Sequence, residues 1–452
     1  MQTTRCPPPS ITLVLVVCAC QIVSNAFASR LHGNLAALLP RRHLRSVTHR
    51  SSLTIVGVPG FAVVRDMAYE AGTFYVESLP DDAAHVERQL AQTINSEPSA
   101  PIAVRASSNT TSPSNFMPGT TWLFYDTQGQ FMAHYYHFLE YVLGLWAVDS
   151  LNTGTLARHS SLQVSNVLMG PTLLRSKWKN QGQHDLNALL LTTLFPDVAV
   201  WDADNPLPST KRLVFERVVI ADRLGAHRDS RATYANKMDY GVLNWALEQD
   251  SSVFEPLKHR FVQAHCPECF KAVAAPDPIV VKSTGGDDVN TTIIKPRLTY
   301  ISRQRDGRRL DSRVAEALET MLVTDLTPFY NVDIVYMQDL SAVDQIRRAA
   351  ASNVMLSVHG NGLSHAMWMP RGGAVVEMFP NQRCLRDYLM LATVAGHSWV
   401  GIDNGTIVVP GQGTFCQDVP TGNDDDAIVV DVDVVRKVLL TLRQTVGKFV
   451  LV

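Results

Sequence analysis

The sequence has no hydrophobic run long enough to cross a bilayer comfortably. The uninterrupted stretch 11–23 (ITLVLVVCACQIV) offers thirteen residues, against about 20 for a spanning helix. Charge excess is also missing: 40 Lys and Arg stand against 42 Asp and Glu, a net of −2, too little for a polyanion-binding field. There is no P-loop, no H-E-x-x-H helix and no complete G-x-G-x-x-G fingerprint. With 24 Pro, 26 Gly and 46% hydrophobic residues, collagen, disorder and pure coiled coil are excluded. The 452 residues suffice for two or three domain-sized units.

The charge that is present is unevenly placed. Residues 1–50 hold six Arg and no Asp, Glu or Lys, so the remainder carries 34 basic against 42 acidic residues, −8. The apolar run with Ala26-Phe27-Ala28 behind it fits a signal sequence with a small-x-small cleavage pattern. An uncleaved type II anchor is the alternative, although five Arg follow the run and only Arg5 precedes it, the reverse of the usual bias. A mitochondrial presequence shares the Arg-rich, acid-poor character but rarely so continuous an apolar block. Sequons at Asn109, Asn290 and Asn404 also point to the secretory lumen. Beyond the leader lie four cysteines, Cys266, Cys269, Cys384 and Cys416, an even number suited to disulfides. Cys266-Pro-Glu-Cys269 offers half a zinc site, but no second C-x-x-C or H-x-x-x-H follows it.

Along the chain, the reading is a signal or anchor over 1–28, an irregular stem over 29–118, an α/β domain over 119–275, a linker over 276–296 and a second α/β domain over 297–452. In the first domain, strands are expected at 121–125, 164–169, 198–201 and 213–221, with helices at 134–150, 185–195 and 240–265. The second alternates strictly: strands at 297–302, 332–337, 354–358 and 374–379 interleave with helices at 312–323, 341–352, 363–369 and 385–395, and a helix over 432–446 closes it. That alternation implies a parallel sheet covered on both faces.

Three motifs can carry chemistry there. Ser357-Val358-His359-Gly360-Asn361-Gly362-Leu363 is a strand end, a glycine bend and a helix start, the arrangement that offers free N–H groups to an anion. Arg303, with Arg305, Arg308 and Arg309 following it, ends another strand with guanidinium groups suited to phosphate. Glu377 lies late in the apolar strand Val375–Phe379, where a carboxylate can accept both ribose hydroxyls. In the first half, His137 and Glu140 near a helix start are general-base candidates.

Other motifs are weaker. Gly396-His397-Ser398-Trp399-Val400 lacks the final glycine of a nucleophile elbow. Asp202-Ala203-Asp204 has the D-x-D form that holds Mn²⁺ and a nucleotide diphosphate, but so short a pattern recurs by chance; Asp431-Val432-Asp433 looks like a helix cap.

YISRQ with its following arginines, SVHGNGLSHAMWMPRGGAVVEMFP and HYYHFLEYVLGLW together resemble glycosyltransferase family 61 over roughly residues 120–445. Asn361 stands where that family usually has Ala, and Glu140 where Asp is common. The resemblance implies a GT-B-like pair of Rossmann-like α/β domains facing a cleft, the C-terminal one binding the nucleotide. It further implies inverting transfer of a xylose, GlcNAc or arabinose-class sugar from a nucleotide sugar, UDP by family analogy, in the ER or Golgi lumen. On this reading Arg303, Arg309, His359, Gly360, Asn361, Gly362 and Leu363 hold the diphosphate and Glu377 the ribose, facing Glu140 and His137. The acceptor is a glycan or glycoprotein. No strong metal site stands out and no cofactor is firmly implied, with Mn²⁺ or Mg²⁺ left open. A lumenal protein that binds nucleotide sugars without turnover is the alternative.

Overall fold

The computed structural model describes residues 51–94 except 57, 102–106, 115–125, 132–152, 162–170, 185–222 except 203 and 209, 238–269, 295–305, 308–380, 387–409 and 427–449. The leader, residues 276–294 of the expected linker and the sequons at Asn109 and Asn290 lie outside them, as do Cys384 and Cys416. No helix among the described residues is long and apolar enough to cross a membrane.

Two sheets organise the chain. The first contains β1 (Ser52–Ile55), β2 (Phe61–Glu70), β3 (Thr73–Ser78), β4 (Ala103–Ala106), β5 (Asn115–Tyr125), β6 (Val164–Met169), β7 (Ala199–Trp201) and β8 (Leu213–Asp222). Its order is β4-β3-β2-β8-β5-β6-β7, with β1 on β2. The β8-β5-β6-β7 portion is parallel, while β2 runs antiparallel to its neighbours. The stretch expected to be an irregular stem therefore supplies four strands and α1 (Pro80–Thr93) to this sheet. Its signal was hidden because β2 is buried on both faces instead of alternating. The β2–β3 turn also places Ala71 and Gly72 at φ +50° and +85°, without the Asn-Gly or Asp-Gly pair that marks such turns.

The second sheet contains β9 (Arg297–Ile301), β10 (Asn331–Val335), β11 (Val354–Val358), β12 (Ala374–Met378), β13 (Ser398–Asp403) and β14 (Thr406–Val408), in the order β10-β9-β11-β12-β13-β14. All pairs but β13–β14 are parallel. Both β11 and β12 are buried throughout, as strands covered on two faces must be. Counting its parallel strands in chain order gives 2-1-3-4-5, a doubly wound order whose reversal point lies between β9 and β11.

The helices are α2 (Tyr135–Asn152), α3 (Leu186–Leu194), α4 (Met238–Gln249), α5 (Glu255–His265), α6 (Ser312–Thr324), α7 (Ala342–Ala350), α8 (Asp387–Val394) and α9 (Val432–Phe449). The single helix expected at 240–265 is divided into α4 and α5. Asp250 Oδ1 accepts from Ser252 N and Oγ at the break, and Pro256 opens α5. The helix expected at 363–369 is a 3-10 helix, Asn361–Trp368.

One hydrophobic cluster joins the two halves. It includes Phe138 and Leu145 of α2, Phe261 of α5, Trp368 of the 3-10 helix and Met390 of α8. The Phe261 and Trp368 rings lie 4.3 Å apart. Helix α2 is apolar almost all round and correspondingly buried. Gly144 lets it approach the sheet, since a Cβ there would come within 2.6 Å of the Phe61 ring. Near its C-terminal end, Asp149 accepts from Trp122 Nε1 at 2.8 Å and pairs with Arg217.

Candidate functional site

The loops leaving β9 and β11 meet at the reversal point of the second sheet, where open α/β sheets bind ligands. Arg303, two residues beyond β9, reaches across and donates from Nη1 to the His359 carbonyl at 2.6 Å. Gly360 makes this possible. A Cβ at Gly360 would lie 1.4 Å from Arg303 Nη1, and the residue has φ +151°. The glycine is thus required twice, by conformation and by the guanidinium that lies where its side chain would be. Among the described residues, the N–H groups of Gly360, Asn361 and Gly362 have no hydrogen-bond acceptor. They follow β11 at the start of the 3-10 helix.

His359 is buried and held by a carboxylate. Its Nδ1 lies 2.5 Å from Glu377 Oε1, while Glu377 Oε2 accepts from Trp399 Nε1 at 2.8 Å. Glu377, expected to receive ribose hydroxyls, is fully buried with both oxygens bonded. In this structure it orients His359. Leu363 is also fully buried, and its N–H donates to the Gly360 carbonyl, so it anchors the bend from beneath. Arg309 is exposed, beside Leu310, which is buried in a bridge to Ile428. Arg308 is partly buried, and its charge helps lower the His134 imidazole. Arg305 is exposed and paired with Asp339 at 2.7 Å.

Opposite the bend stands the start of α2. His137 Nδ1 lies 2.8 Å from Glu140 Oε2, one helical turn on, with Glu140 buried and His137 partly exposed. With a proton on Nδ1 donated to this carboxylate, the ring carries its lone pair on Nε2, the tautomer of a general base oriented by an acid. The two sides are joined by rings. Tyr136 lies 5.1 Å from Tyr388, and Tyr388 lies 5.2 Å from His359. Burial, then the Asp387 and Glu377 charges, push the Tyr388 hydroxyl well above its ordinary range, so it stays protonated and bonds Ser364. At the rim, His134 keeps a solvent-exposed edge. Desolvation of the rest, then His137 and Arg308, lower its imidazole below its usual value.

Tyr388 was not singled out in the sequence, and Trp399 appeared only within the elbow-like stretch, because their partners Ser364 and Glu377 lie on other elements. The weaker motifs resolve differently. Asp202 Oδ1 accepts from the N–H groups of Asp204 and Asn205, closing a turn after β7. Asp431 caps α9 through Asp433 N and Val434 N. His397 is buried, bonding the Ala366 carbonyl. Cys266 and Cys269 form a disulfide with Cα atoms 5.3 Å apart. With Glu268 they make up the one cluster of potential metal ligands among the described residues, and two of its three members are spent on that bond.

The "EGF domain-specific O-linked N-acetylglucosamine transferase" of Canis lupus familiaris is 28% identical over 109 residues, 23% of this chain and 20% of that protein. The Mus musculus protein of that name is 28% identical over 110 residues, 24% of this chain and 20% of its own length. The matched part is thus about a fifth of these relatives' length. The family model described as Glycosyltransferase 61 matches residues 135–376, more than half of the sequence, from the first residue of α2 to β12. The chain belongs to glycosyltransferase family 61.

Proposed function

We propose that the chain transfers a sugar from a nucleotide sugar, UDP-linked, to a hydroxyl of a glycan or glycoprotein acceptor, with inversion at the anomeric carbon. The observation that carries this reading is the convergence of Arg303 and the His359–Gly362 bend at the sheet's reversal point, facing the His137–Glu140 pair. In a single displacement, His137 Nε2 takes the proton of the acceptor hydroxyl. The acceptor oxygen attacks the anomeric carbon from the face opposite the leaving group. The bond from that carbon to the diphosphate oxygen breaks with its electron pair on the diphosphate. Arg303 and the N–H groups of the bend stabilise the negative charge that develops there. Glu140 stabilises the imidazolium formed at His137.

The GT-B-like arrangement belongs to this proposal, as does residence in the ER or Golgi lumen with a cleaved signal or an N-terminal anchor. Exposure of Asn404 in the β13–β14 turn supports the lumenal reading, since that sequon is open to glycosylation. The named relatives support an N-acetylglucosamine donor and a protein acceptor. The test is a panel of UDP-sugars with the purified protein, following UDP release and product stereochemistry. Release from one donor that collapses in Arg303→Ala and in His137→Gln supports the reading. Saturable UDP binding with no turnover of any donor makes the protein a binder instead.

A further inference from the structure

Helix α2 is held at its two ends by different halves of the molecule. Its C-terminal end is fixed to the first sheet through Asp149, Trp122 and Arg217. At its N-terminal end, the Tyr136 N–H donates to Asn361 Oδ1 at 3.0 Å. Asn361 belongs to the bend after β11, 225 positions away in sequence. The first-turn N–H groups of a helix have no partner within it, and a local N-cap side chain ordinarily serves them. Here the cap comes from the bend after β11. The same oxygen accepts from Ser364 Oγ at 3.2 Å, which fixes the Asn361 rotamer.

His137 is the residue after Tyr136, and Glu140 lies one turn on. The bend therefore makes three connections within three residues: Arg303 at the His359 carbonyl, Glu377 at the His359 ring, and the base-bearing helix at the Asn361 side chain. We infer that Asn361 is a positioning residue that sets the His137–Glu140 pair in register with the donor's diphosphate, so that settling of the bend around the donor also aligns the base. The inference rests on the proposed role of His137. A second tie, Trp368 Nε1 to Tyr135 Oη at 2.9 Å, does not involve Asn361 and keeps the halves together when that side chain is shortened.

The experiment uses the purified full chain, with Asn361→Ala, Asn361→Ser and Asn361→Asp beside Arg303→Ala and His137→Gln. UDP affinity is read by calorimetry, and kcat and donor KM by UDP release from the donor found active in the panel. The inference predicts that Asn361→Ala lowers kcat about five- to tenfold, the scale of a lost cap, with UDP affinity and donor KM within about twofold. Asn361→Asp keeps the acceptor oxygen and restores kcat, and Asn361→Ser restores part of it. Arg303→Ala shows the opposite pattern, with affinity lost first. A merely structural role would lower the active fraction, seen as a reduced UDP stoichiometry, with turnover per bound UDP unchanged; that result overturns the inference. So does Asn361→Ala with unchanged kcat, or with UDP affinity reduced as in Arg303→Ala. If His137→Gln keeps full turnover, the base assignment falls and the positioning role with it. If His137→Gln is inactive while Asn361→Ala is normal, the positioning role alone falls.

Discussion

Acidification should loosen the protein at the 3-10 helix that follows the bend, through two imidazoles held neutral by burial. His365 Nε2 lies 2.9 Å from Gln345 Oε1, and His397 Nε2 lies 2.9 Å from the Ala366 carbonyl. Each ring therefore donates through Nε2, and each Nδ1 is buried with no partner among the described residues. A second proton would sit on that unpartnered nitrogen. Burial lowers His365 to about 4; burial, then the Lys258 and Arg371 charges, lower His397 to about 3. Both folded values lie below the ordinary 6.5, so the unfolded chain binds more protons between them. The stability from neutral rings is complete above 6.5 and is lost as pH falls toward 4 and 3. From about pH 7 to about pH 5, linkage gives a loss of about 2 kcal/mol per ring, about 4 kcal/mol for both. Against a typical total of about 5–15 kcal/mol, that is large. Urea denaturation at the two pH values measures it. His365→Gln and His397→Gln keep an amide nitrogen near the Nε2 position and remove the titration. Each should cancel about half of the pH-dependent loss, and the double variant most of it. A double variant as acid-sensitive as the parent chain would refute this reasoning.

Other outcomes follow from the site. In Gly360→Ala the new methyl displaces the Arg303 guanidinium, so UDP affinity should fall by about 10- to 100-fold, as in Arg303→Ala; calorimetry on both variants checks the match. Glu377→Ala strands His359 Nδ1 and Trp399 Nε1 in the interior and should cost about 3 kcal/mol of stability, measured by denaturant titration. His137→Gln should lower kcat by about 10²- to 10⁴-fold while donor KM changes little, read by steady-state kinetics. Asp202→Asn keeps the Oδ1 acceptor of its turn, so activity should stay within about twofold; a metal-holding D-x-D would lose far more.

Much of the second sheet was legible, because strands such as Val354–Val358 are mostly apolar runs between turn signals and α6, α7 and α9 keep a 3.6-residue period. The helix expected at 341–352 is α7, with Ser341 as its N-cap. The N-terminal strands were not legible. In β2 a fully buried run is interrupted by Arg65 and Asp66, the latter at φ +54°, so no period survives. The strand-end position of Arg303 and the glycines of the bend could be read locally. Partly buried Arg308 could not be told from exposed Arg309, because their exposure depends on how Leu310 pairs with Ile428. Glu377 could be picked out as a lone carboxylate in an apolar strand, but its bonds to His359 and Trp399 could not. Its partner Trp399 lies on β13, and only the parallel pairing of β12 with β13 brings them together. Asn361 is the extreme case, since its partner is 225 positions away.

The account stands or falls on whether the bend beside Arg303 holds a diphosphate. Calorimetric titration with UDP and with uridine, on the parent chain and on Arg303→Ala, addresses this directly. The account predicts that UDP binds at least about tenfold more tightly than uridine and that Arg303→Ala removes most of that difference. Uridine binding as tightly as UDP, or a UDP preference that survives loss of Arg303, would contradict it.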